Sequence, residues 1–187
     1  MALNLYFVIL GCTPAGRHTE QHDVFFGIGH SLGDLLPDME AFWPGTKLHI
    51  DSWRIISAVN GYRVKIVANG SHPVAASNKL FFLNLGGYKP GDMEEYHYKL
   101  FCVASDKATA IKQAKQTAFY KHTGFKGASS HIDDKYGIDV DDIYEIEDIL
   151  PASVKKHYSI LLEEVTGSIP EDELHIGYLK LGSIRAG

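Results

Sequence analysis

With 187 residues, 45% of them apolar and 22% charged, the chain is long enough to bury one sizeable core or two small ones. Its ten Tyr, nine Phe and two Trp exclude a disordered polymer. A net charge of −5 and no Lys/Arg cluster interleaved with aromatics argue against a reader of phosphate backbones, so no nucleic-acid partner is expected. No apolar run approaches the roughly 18 to 20 residues of a membrane-spanning helix. Two cysteines, Cys12 and Cys102, are too few for a disulfide framework and point to a reducing, cytoplasmic setting.

In chain order, Leu5 to Leu10 is a short apolar run ending at Gly11, the pattern of a buried strand, and residues 20–29 read as a second strand hairpinned to it. The opening run imitates a lipoprotein signal ending at Cys12, but it lacks a basic flank, and its pattern recurs inside the chain at Leu80 to Gly87. Residues 32–43 contain Gly33 and Pro37 and predict a short or bent helix. Asn60-Gly61, between Ile55-Ile56-Ser57-Ala58-Val59 and Tyr62-Arg63-Val64-Lys65-Ile66-Val67, is a two-residue hairpin signal. Residues 80–85 and 95–104 predict a second strand pair. Ser105-Asp106 then caps a helix whose Ala108, Ile111, Ala114 and Ala118 recur at helical spacing, with Gly124 as its stop. The segments 158–165 and 174–182 predict a final hairpin about Thr166-Gly167.

A shift of 75 residues aligns Leu5, Phe7, Leu10, Gly11, Gly16, Glu20, His22 and Phe26 with Leu80, Phe82, Leu85, Gly86, Gly91, Glu95, His97 and Phe101. That is far more than average composition supplies. A second block, shifted by 82, aligns His49-Ile50-Asp51 with His131-Ile132-Asp133, Ile56 with Ile138, and Tyr62 with Tyr144; Asp141-Asp142 is read as the counterpart of the Asn60-Gly61 turn. The expected fold is α+β: two tandem ββαββ units, with predominantly antiparallel sheets, related by a pseudo-two-fold. A C-terminal β-hairpin completes an exposed edge. The expected divisions are a first repeat at 1–67, a linker at 68–79, a second repeat at 80–150, and the hairpin at 151–187. Glu173-Leu174-His175 in the tail, a third Glu-x-His, reads either as the trace of a degenerate half repeat or as an accidental two-residue match.

The block Leu10-Gly11, Gly16, Glu20-x-His22-Asp23 with His49-Ile50-Asp51, and its echo from Leu85 to Asp133, resembles a bacterial family known as domain of unknown function 1543. Its members carry one or two copies of a short domain. The resemblance covers most of the chain through Leu150 and implies the duplication, without an activity to carry over. The change from His49-Ile50-Asp51-Ser52 to His131-Ile132-Asp133-Asp134 makes the later loop more acidic.

Residues two apart in a strand share a face, so Glu20 with His22 and Glu95 with His97 each present a carboxylate beside an imidazole. The same holds for His49 with Asp51 and for His131 with Asp133 if those segments are extended. Two imidazoles and two carboxylates suit Zn²⁺, Fe²⁺ or Mn²⁺, and such a cluster also suits acid/base work on water. The plainer reading has these groups hydrogen-bonding one another to pin strand ends, in a non-catalytic module that homodimerises. Each set is expected to assemble within one copy, with His22 and His49 within about 10 Å of each other if they share a centre. Gly11-x4-Gly16 and Gly86-x4-Gly91 imitate a phosphate loop but lack its Lys-Ser/Thr pair, and glycines with positive φ in a hairpin connection account for them. The acidic run from Asp133 to Asp148 fails the spacing of a calcium loop, because Tyr136 and Ile138 would fall on ligand positions counted from Asp134.

Overall fold

Strand β1 (Asn4–Cys12) is the pivot of the first sheet, pairing antiparallel with β2 (Gln21–Gly29) on one side and β3 (His49–Ile55) on the other. This is a computed structural model, which describes residues 2–71, 77–88, 93–116, 132–133, 137–138 and 140–184. Alternation along β1 sends Tyr6, Val8, Leu10 and Cys12 into a core closed by Leu35, Leu36, Met39 and Ile50. Each fully buried Val, Leu, Ile or Met among them contributes about 1.5–3 kcal/mol. The opposite face of β1 carries Phe7, Ile9 and Gly11. Residues 32–43 form a 3-10 turn at Leu32–Leu35 followed by α1 (Leu36–Phe42), with Pro37 in the first turn of α1, where a missing N–H costs nothing. Asp34 ties down the start of this segment by accepting from the backbone N–H groups of His30 (2.8 Å) and Ser31 (3.2 Å). The His30 bond leads in holding its carboxyl below the ordinary carboxylate range.

After β3 the chain turns through β4 (Ala58–Val59) into β5 (Tyr62–Ala68) at Asn60-Gly61, whose φ values of 50° and 81° are those of the two-residue hairpin turn expected there. Strand β6 (Lys79–Tyr88) opens a second sheet and pairs with β7 (Glu95–Ala104). Helix α2 (Lys107–Ala114) follows, capped by Asp106, whose side chain accepts from Thr109 N at 2.8 Å; that bond leads in lowering the Asp106 pKa. Phe81, Leu83, Leu85, Cys102, Ala104, Ala110 and Ala114 form the second core. Burial raises the Cys102 thiol to about 12, so it serves as a small apolar group. Beyond α2 lie the short β8 (Ile132–Asp133) and β9 (Gly137–Ile138), which pair with each other, and then β10 (Val140–Glu145), which pairs with β6. Ala118, Gly124 and Gly91 lie outside the described residues.

The mixed α+β architecture with antiparallel sheets is as the sequence indicates. Three details differ. Asp141 and Asp142 lie inside β10, not in a hairpin turn, and β10 runs into a helical turn at Ile146–Ile149 where the first unit has its β4–β5 hairpin. The C-terminal strands β11 (Tyr158–Glu164) and β12 (His175–Lys180) do not pair with each other: β11 extends β5 and β12 extends β3. In consequence one compact unit comprises residues 1–74 and 150–187, and the other 75–149. No described helix is long and apolar enough to cross a membrane.

Candidate metal centre

Gly11 pairs with His22 on one side and with His49 on the other. Laterally paired residues face the same way, so two imidazoles flank a position that has no side chain. With strands about 4.8 Å apart, their backbones are roughly 10 Å apart across an open gap. Glu20, just before β2, and Asp51, beyond His49, complete the ring. The pairing shifts between Ile9/Ser52 and Leu10/Ile50, leaving Asp51 as the extra residue of a bulge. A bulge re-aims a side chain, and here it turns a carboxylate toward the gap.

The four side chains converge. His22 Nε2 is 2.9 Å from Asp51 Oδ2 and 3.5 Å from Glu20 Oε2. His49 Nε2 is 3.1 Å from Glu20 Oε1 and 3.3 Å from Asp51 Oδ1. The two rings are 6.5 Å apart, centroid to centroid, inside the limit expected for a shared centre. Glu20, His22 and His49 each offer a ligand atom within 4.8 Å of the others. His49 is 4% exposed, and its Nε2 is buried with no hydrogen-bond partner, despite the two nearby carboxylates. Tyr178 from β12 covers it, ring centroids 4.4 Å apart. Next along, His175 stacks on Trp53 at 3.8 Å and lies 3.8 Å from exposed Glu173.

Gly11 is therefore a floor. A Cβ there would come closer than 3.0 Å to two atoms of the His49 ring. The turn account of the paired glycines holds for Gly16, at φ 79°, but not for Gly11, which sits within β1.

The second unit repeats this construction. The β6–β7 register matches that of β1–β2 at a shift of 75, so Gly86 pairs with His97 as Gly11 does with His22. A Cβ on Gly86 would fall closer than 3.0 Å to Asp141 and Glu95 oxygens. His97 Nε2 is 3.1 Å from Asp141 Oδ2 and 3.9 Å from Glu95 Oε2.

The carboxylate in this second set is Asp141, which corrects the alignment made from the sequence. Leu10 pairs with Ile50 and Leu85 with Val140; Ile9 pairs with Ser52 and Asn84 with Asp142. The shift between the third strands is thus 90, and Asp141 is the bulged counterpart of Asp51. Of the expected pair, His131 lies outside the described residues, and Asp133 is in β8, paired with Gly137, away from this register. The position matching His49 is Asp139, also outside the described residues. Asp141, Tyr178 and the structural role of the two glycines were not read from the sequence.

Residues 17–66 match the model of the family described as Domain of Unknown Function (DUF1543). Over those residues the chain is similar to that family. It spans Glu20, His22, His49 and Asp51, the whole of the first cluster. No functionally curated protein matches the chain. Among solved structures, a crystal structure of protein Il1583 from Idiomarina loihiensis is similar, at 25% identity and a TM-score of 0.64, over 96% of this chain and 98% of that one. That likeness extends well beyond the DUF1543 stretch, through both compact units.

Proposed function

We propose that the first unit is a divalent transition-metal binding domain, with His22 Nε2, His49 Nε2 and the carboxylates of Glu20 and Asp51 as ligands. The observation that carries this reading is His49 Nε2: a buried ring nitrogen facing two carboxylate oxygens at 3.1 and 3.3 Å without making a hydrogen bond. Leaving such a nitrogen unsatisfied costs about 1–3 kcal/mol, and a cation between it and the carboxylates removes that cost. Two imidazoles and two carboxylates suit Zn²⁺ or Fe²⁺, and half-exposed His22 and Glu20 leave one side open for water or a substrate.

The test is to strip the protein with chelator, reload it with one equivalent of Zn²⁺, pass it through gel filtration and measure bound metal. The wild type retains zinc, and His22→Ala weakens binding at least tenfold. Equal retention by the wild type and by His22→Ala with His49→Gln would refute the reading.

The two units are best explained as copies of one ancestral domain, supported by their matched β-pair registers and equivalent bulges. Buried, free Cys12 and Cys102 fit a reducing compartment. Self-association is a second reading, supported by Leu174, Ile176 and Tyr178, which are 56%, 79% and 64% exposed on or beside the edge strand β12. Sedimentation of Ile176→Lys against the wild type tests it.

A further inference from the structure

The second unit builds the same ring from different chemistry. Its glycine floor, its strand-borne Glu-x-His pair and its bulge aspartate all correspond, but its described ligand atoms are one imidazole and two carboxylates: Glu95, His97 and Asp141, again within 4.8 Å of one another. Asn84, two residues from Gly86 on the same face of β6, has a buried Oδ1 with no hydrogen-bond partner, adding a neutral oxygen to that face. The described set thus has one imidazole fewer than the first and one amide oxygen more. Imidazole suits zinc, copper and iron, whereas carboxylate and carbonyl oxygens suit manganese, magnesium and calcium.

We propose that the second unit carries its own divalent-cation centre at Glu95, His97 and Asp141, and that its preference for Zn²⁺ over Mn²⁺ is at least tenfold weaker than that of the first centre. The chain then holds two unlike metals, an imidazole-rich centre taking the transition metal and an oxygen-rich one accepting a harder ion. The inference rests on reading the first cluster as a metal centre, from which it takes its geometry. Divergence of ligands on a retained scaffold also explains why Gly86 is kept: the close approach of Asp141 and Glu95 to its Cα is needed whichever metal is bound.

The experiment uses the full chain, stripped of metal and preloaded with one equivalent of Zn²⁺, then titrated with Mn²⁺ and followed by the loss of the free Mn²⁺ electron paramagnetic resonance signal. The wild type binds one Mn²⁺, and Glu95→Gln with Asp141→Asn weakens it at least tenfold while zinc is retained. His97→Gln, at a side chain 37% exposed, gives a second variant with little risk to folding, and circular dichroism verifies both. Separate Zn²⁺ and Mn²⁺ titrations of Glu95→Gln with Asp141→Asn, and of His22→Ala, give the affinity ratio at each remaining centre. Absence of Mn²⁺ binding in the wild type, binding unchanged in both second-unit variants, or equal affinity ratios at the two centres would overturn the proposal. Zinc retention unaffected by His22→Ala, with Mn²⁺ still lost in the second-unit variants, would instead sink the reading of the first centre and leave the second standing.

Discussion

A glycine between two histidines in adjacent strands is the smallest feature on which the site depends. At Gly11 the backbone is extended, so the residue is needed for space rather than for an unusual φ. Gly11→Ala puts a methyl against the His49 ring, which is buried under Tyr178 and has little room to retreat. The expected outcome is a loss of about 1–3 kcal/mol in unfolding free energy, the usual cost of overpacking. Zinc affinity in the first unit falls at least tenfold as the ring is displaced. Gly86→Ala meets carboxylate oxygens instead, and should impair Mn²⁺ binding while leaving first-unit zinc unchanged. Denaturant titration together with metal titration of the two variants checks both statements. Zinc affinity unaltered in Gly11→Ala would show that this floor plays no part in shaping the cluster.

At the scale of elements, the cap at the start of the 3-10 turn gives a pH-dependent prediction. Asp34 has its pKa lowered, first by the His30 N–H and also by the Ser31 hydroxyl and backbone N–H, against a smaller opposing effect of burial. A carboxyl whose folded pKa lies below its unfolded value stabilises the fold above the ordinary carboxylate range, and that contribution is lost as pH falls through the lowered pKa. Asp34→Ala should therefore cost about 0.5–1 kcal/mol near neutrality, at the low end for a cap because the group is exposed. Its thermal stability should converge on that of the wild type as pH drops below about 4. A gap that stays constant from pH 7 to pH 3 would contradict the assignment. The same scale shows what the sequence made legible. Strand pairs announced by glycine-terminated apolar runs, the Asn60-Gly61 turn and the Asp106 cap follow from local chemistry, and they form. The third strand of the second unit does not, because the tripeptide His131-Ile132-Asp133 copies His49-Ile50-Asp51 letter for letter while β10 carries only its pattern. Register is fixed by which residues point inward: Val140 pairs with Leu85 as Ile50 does with Leu10, and buried Ile146 stands where buried Ile56 does. Side-chain identity misled where inward pattern and bulge position would not. Glu20, His22, His49 and Asp51 were legible because residues two apart share a strand face; Tyr178 was not, since nothing local ties β12 to β3.

The connectivity of the whole chain follows from where β11 and β12 go. The first unit is discontinuous in sequence, closed by residues 150–187 after the second unit has been made. Strand β12 covers the outer edge of β3, with Leu179 opposite Ile50 and Lys180 opposite His49, and the turn after it buries Leu181. Asp172 reaches back to the backbone N–H of Ser57 at 3.0 Å. Truncation after Val165 removes these contacts and leaves β11 on β5. Loss of Leu179, Leu181 and Ile184 from the first core should cost roughly 3–6 kcal/mol at 1.5–3 kcal/mol for a fully buried side chain and less for the two that are partly buried. The ordering of residues 166–184 no longer has to be offset, which moderates the loss. Because β12 belongs only to the first sheet, amide hydrogen exchange should accelerate in β3 and in the edge-facing groups of β1, while β6 and β7 keep their protection. Zinc binding should weaken with it, since the truncation also strips Tyr178 from His49 and opens that nitrogen to water, whereas the Mn²⁺ affinity of the second unit should stay within a factor of two. Uniform acceleration of exchange across both sheets would show instead that the two units unfold as a single cooperative body, and that the C-terminal strands stabilise both.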